Sequence, residues 1–184
     1  MLTKEQGEKL LKLARESIKN YFEGKKTNIG PYKEFNAKQG VFVTLTINSN
    51  LRGCIGYPEP IMPLNKAVAD AARSAAFNDP RFPSLEKHEF NKIKIEISVL
   101  TVPEEIKVKD YSGYMKEIKI GEDGLIMRSE WGSGLLLPQV FTEYDCDVKK
   151  ALEMTCQKAG LEPNAWHDLD NKVYKFQAQI FSEE

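Results

Sequence analysis

Residues able to do chemistry concentrate in one short run, Leu51-Arg52-Gly53-Cys54-Ile55-Gly56. A thiol acts as a nucleophile or soft ligand only as the thiolate, and nearby positive charge favours that form. If the run is extended, a period of two puts Arg52 and Cys54 on one face, so that a guanidinium neighbours the sulfur. Cys54 is then the candidate nucleophile or thiolate. Gly53 and Gly56 would allow sharp bends and close approach of a ligand to the main chain. The competing reading makes Cys54 a small buried hydrophobe and Arg52 the partner of a carboxylate.

Asp79 and Arg81 flank Pro80, which stiffens the loop between them. They could act as a clamp, as two separate binding groups, or as a salt-bridged helix terminator. Arg52 and Arg81 together would suit a carboxylate or phosphate if their loops meet, because a planar guanidinium fork matches both. Glu96 and Ser98 share one strand face and are candidates for a polar wall of the same cavity. Gln139, fixed after Pro138, completes the candidate substrate-binding set. A catalytic cysteine usually needs a base. The two histidines, His88 and His167, carry no signature that ties them to Cys54 and read as surface or capping residues. Cys54, Cys146 and Cys156 form no CxxC pair, so no metal is assigned. Cys156 reads as core, and Cys146, which adjoins the same helix, as a residue that could be exposed. Phosphate loops, HExxH patterns and GxSxG elbows are absent, and no cofactor is specified.

These residues need a scaffold. Thr3-Lys4-Glu5-Gln6 is a capping box, and Leu10, Ala14, Ile18, Tyr21 and Phe22 repeat at helical spacing up to Gly24. Lys9, Lys12, Arg15 and Lys19 fall mostly on the complementary face and read as solvated. Residues 24–39 read as a polar connection. Val41, Val43, Leu45 and Ile47 alternate as a strand, Asn48-Ser49-Asn50 turns the chain, and residues 51–56 return. An alanine-rich helix over residues 63–77 should pack tightly on the sheet. Ile93, Ile95, Ile97 and Val99 alternate again. Ile118-Lys119-Ile120 and Leu125-Ile126-Met127 flank a Gly-rich turn and predict a hairpin, with a loop at Trp131-Gly132-Ser133-Gly134. Asp147 can cap a further helix ending at Gly160, and a last strand carries Tyr174, Phe176, Ala178 and Ile180. Amphipathic strands without regular βα alternation predict an α+β fold with a mainly antiparallel sheet.

Composition bounds the partners. The 184 residues suit one domain, with room for a small appended lobe. A net charge of −1 opposes generic nucleic-acid binding, though not a local basic patch. No apolar run approaches the ~20 residues a membrane span needs. The lysine-containing start leads straight into a helix without a signal-like apolar core, so the expectation is a cytoplasmic protein with reduced thiols.

The chain resembles the AMMECR domain family. The likeness runs in order through GVFVTL (40–45), LRGCIGYPEPIMPL (51–64), AFNDPRFPSL (76–85), EISVLTVPE (96–104), GLLLPQV (134–140), CQKAGLEPNAW (156–166) and VYKFQAQIF (173–181). It implies two lobes, a larger sheet-and-helix lobe and a smaller one, with the RGCIG segment facing the space between them. The family signature maps onto Arg52, Gly53, Cys54, Gly56, Asp79, Arg81, Phe82, Pro138 and Gln139. Tyr144-Asp145-Cys146 departs from a Gly-Trp pair common in relatives, so Cys146 inherits no role. Family members have no assigned reaction. They resemble components of systems that also contain Memo-like proteins and radical SAM enzymes, which implies such partners by analogy. Two functions follow as expectations: a small-molecule-binding or catalytic component of a modification pathway, or a non-catalytic module that docks a Memo-like protein.

Overall fold

A computed structural model describes residues 1–183. The chain divides into two compact units, Met1–Leu100 with the residues from Gln179 onward, and Thr101–Ala178. Each has its own apolar core.

The first unit begins with helix α1, Lys4–Phe22. Its capping box forms as expected: the Thr3 hydroxyl accepts from the Gln6 amide, and the Gln6 side chain accepts from the Thr3 amide. Strands β1 (Val41–Ile47) and β2 (Asn50–Tyr57) follow, joined by Asn48 and Ser49, both at positive φ as a tight hairpin turn requires. Helix α2 (Leu64–Phe77) and strand β3 (Lys94–Leu100) complete the run. Val41, Val43 and Leu45 are fully buried with Leu10, Leu13, Ala14 and Ile18 of α1 and the alanines of α2. Small side chains let α2 come close: a Cβ on Gly53 would lie 2.1 Å from the Ala75 carbonyl oxygen.

The second unit holds β4 (Glu104–Glu105), α3 (Tyr114–Glu117), β5 (Asp123–Arg128), β6 (Ser133–Leu136), α4 (Pro138–Glu143) and α5 (Val148–Lys158). Strand β7 (Lys172–Ser182) starts in this unit and ends in the first. In the first unit β1 lies between β2 and β3; in the second β5 lies between β6 and β7, and β4 also pairs with β7. The pairings are antiparallel, which establishes the α+β class with an antiparallel sheet.

Four local expectations are corrected. The 24–39 connection contains a 3₁₀ segment, Gly30–Phe35, that buries Tyr32 and Phe35. The hairpin partner of β5 is β6, not residues 118–120: Ile118 ends α3, and the Asp123 carboxylate accepts from the Lys119 amide. The turn instead uses Ser129, whose hydroxyl accepts from the amides of Trp131 and Gly132. Arg15 is not simply solvated, since its guanidinium forks onto Glu183 at 2.6 and 2.5 Å and donates to the Phe90 and Ile93 carbonyls. Cys146 is buried beside Met154, with the sulfurs 3.4 Å apart.

Candidate functional site

Cys54 sits on β2, the terminal strand of the sheet. It pairs with Thr44 of β1, and Thr44 pairs on its other side with Glu96 of β3. Directly paired residues share a face at a strand spacing of about 4.8 Å. Cys54, Thr44 and Glu96 therefore form one row across three strands, on the face opposite the α1–α2 core. The Thr44 hydroxyl donates to Cys54 Sγ at 3.3 Å, and Ser182 donates to Glu96 Oε2 at 3.0 Å. In the adjoining row Phe42 pairs with Gly56 and with Ser98, which is buried.

A terminal strand leaves backbone groups without a neighbour. At Cys54 side chains replace that neighbour. Its N–H donates to Asp79 Oδ2 at 2.9 Å, and its carbonyl accepts from Arg81 Nη2 at 3.1 Å. Asp79 also takes the Arg81 fork at 3.0 and 2.7 Å and the Arg81 amide at 3.1 Å. Four donors satisfy a buried carboxylate, and the Arg81 guanidinium holds it well below the usual carboxylate range. Arg81, whose own pKa is raised first by Asp79, also interacts with the Cys54 side chain. Its side chain is 55% exposed, so the cation held at the Cys54 carbonyl still faces solvent.

Arg52 does something else. The β1–β2 register shifts between Leu45 and Thr46, which oppose Gly53 and Leu51, so Arg52 is the extra residue of a bulge. A bulge re-aims its side chain. The bulge interrupts the period of two on which the expected Arg52–Cys54 face rested. Arg52 instead forks onto Glu89 at 2.8 Å twice and donates to the Pro83 and Ser84 carbonyls. That guanidinium draws Glu89 down to about 2. Both side chains are largely buried, at 13% and 18% exposure.

Cys54, Asp79, Arg81, Glu96 and Ser98 thus belong to one unit with Arg52, Gly53 and Gly56. Gly56 has no room for a Cβ, which would lie 2.4 Å from the Val41 carbonyl oxygen. Gln139 belongs to the second unit, on α4, where its Oε1 is buried without a partner among the described residues. The other thiols face apolar cores, and burial pushes Cys156 up to about 11. His88 pairs with Glu86 at the surface, and His167 stacks on Tyr111. Among the described residues no group of three or more His, Cys, Asp or Glu is placed to hold a metal. No helix among them is long and apolar enough to cross a membrane.

The AMMECR1 family model matches residues 11–181. The chain belongs to the AMMECR1 family. Proteins of two archaea, Methanothermobacter thermautotrophicus and Methanocaldococcus jannaschii, are 47% and 50% identical to it. Each covers 100% of this chain, which in turn spans 97% and 92% of their lengths. A crystal structure of an uncharacterised protein from Pyrococcus horikoshii is 45% identical, with a TM-score of 0.91 over 100% of this chain and 94% of that one. In this AMMECR1 chain, two residues essential to the geometry escape sequence reasoning. Thr44 is one polar position of the β1 alternation and Glu89 one of the charged residues at 86–89, and no motif marks either.

Proposed function

We propose that this AMMECR1-family protein is a cytoplasmic thiol-using component of a modification pathway, with Cys54 as nucleophile or thiolate ligand. Arg81 would position an anionic group of a small substrate, and Glu96 and Ser98 would supply polar contacts along the same face. One observation carries the reading: Cys54 is the cysteine that is not buried, with a hydroxyl donating to its sulfur and a half-exposed guanidinium donating to its carbonyl. Electropositive, partly exposed surroundings are where reactive cysteines are found.

The test is iodoacetamide labelling of the native chain, read by mass spectrometry. Cys54 is expected to label while Cys146 and Cys156 stay protected. Arg81→Gln should slow Cys54 about fivefold, the equivalent of ~1 kcal/mol of lost charge attraction at a half-exposed site, and Arg81→Lys should largely preserve the rate. A Cys54 that labels only on unfolding overturns the reading.

The capture of Arg52 by Glu89 favours a second reading, in which the signature is scaffold for docking a Memo-like protein, alongside a radical SAM enzyme. That reading expects a stable complex with a Memo-like protein from the same organism, retained by Cys54→Ser. No complex across a range of salt concentrations rules it out.

A further inference from the structure

A recess in the first unit lies between the end of α1, the residues that follow it, and α2. Its volume is about 610 Å³, within the ~300–1,000 Å³ of small-molecule sites. Its apolar lining comprises Ile29, Met62 and Ala69 together with the Tyr21 ring. One face of the Tyr21 ring stacks on Phe77 at 4.1 Å, which braces it as a wall. Two lining hydroxyls are already committed: Ser17 donates to the Ala69 carbonyl, and Thr27 donates to Ser17.

The lining charges are lopsided. Lys25, Lys26, Lys66 and Arg73 face a single carboxylate, Asp70, so four positive charges less one negative leave an excess of three. The whole chain carries −1. Arg73 is paired with Asp70, and Lys25 with Glu23 at 2.7 Å. Lys26 and Lys66 have no carboxylate partner among the described residues. Asp70 is further occupied by the Tyr57 hydroxyl, so it cannot turn to neutralise them. An apolar pit with an aromatic wall and two unneutralised ammonium groups is complementary to an amphipathic anion.

We propose that this recess binds a small aryl phosphate, its planar part against Tyr21, Ile29 and Met62 and its phosphate held by Lys26 and Lys66. A phosphate monoester fits better than a carboxylate, because its charge of about −1.5 to −2 at pH 7 matches two ammonium groups where a carboxylate supplies a single charge. An extended nucleic acid is disfavoured: the recess accommodates one group, and the chain is not basic overall.

The test is a ¹H–¹⁵N NMR titration of the intact chain with phenyl phosphate, compared with phenol and inorganic phosphate. Saturable shifts are expected at Tyr21, Lys26, Ile29 and Lys66, with phenyl phosphate binding more tightly than either fragment. Lys66→Glu, on an exposed position, should leave the spectrum folded and weaken binding about tenfold. Non-saturating shifts, shifts elsewhere, inorganic phosphate binding as tightly as the ester, or an unchanged affinity in Lys66→Glu would each overturn the proposal. Cys54 takes no part in it, so its alkylation behaviour leaves this result unaffected.

Discussion

Residue by residue, the RGCIG run separates into support and chemistry. Arg52 joins β2 to the segment carrying Glu89 through four hydrogen bonds in a largely buried setting. Removing one member of such a pair leaves the other charge buried alone, so Arg52→Ala should cost about 3 kcal/mol in denaturant unfolding. Arg52→Lys should recover part of that loss, since a point charge cannot reproduce the fork. Neither change should alter the alkylation rate of Cys54 in protein that remains folded. A rate that falls with Arg52→Lys would mean that Arg52 acts on the thiol after all. The sequence presents Arg52 and Cys54 as equivalent neighbours because a period of two assumes unbroken pairing. The single inserted residue that parts them depends on the β1 register, which no local pattern records.

At the level of elements, legibility followed local determinism. Thr3 with Gln6, the alternation of Val41, Val43 and Leu45, and Asp147 before α5 each specify their element through contacts a few residues apart, and each element formed. The hairpin of β5 with β6 was hidden because Leu135 and Leu136 belong to an apolar run without alternation. Its loop also looked like flexible glycine when it is pinned by Ser129. Gly53 shows the same limit in reverse. Its type suggested ligand access, whereas the group that approaches its backbone is α2. Gly53→Ala should therefore separate α2 from β2 and destabilise the chain by about 2–3 kcal/mol, measured as a lower midpoint of urea unfolding. An unchanged midpoint would show that α2 can retreat freely.

For the molecule as a whole, the two units should differ in acid. Glu89 in the first unit is depressed to about 2 by Arg52, and Asp79 lies below its ordinary value because of Arg81. A carboxylate whose folded pKa is lowered contributes stability that is present above its unfolded value, near 4.5 for Glu89, and lost as pH falls toward the folded value. For Glu89 alone this amounts to at most about 3 kcal/mol. Between pH 4.5 and 2, hydrogen exchange should consequently speed up in β1 and β2 before β5 and α5. Simultaneous loss of protection would mean that the units do not open separately.

Strand β7 has a consequence for how the protein is made. Glu183, which follows β7, receives Arg15 and the Ile95 amide, so α1 and β3 wait for a residue translated well after them. At about 5–20 residues per second, Glu183 is added roughly four to seventeen seconds after Leu100. Throughout that interval the emerging N-terminal half keeps an open seam beside β3, the period in which a nascent-chain chaperone would matter most.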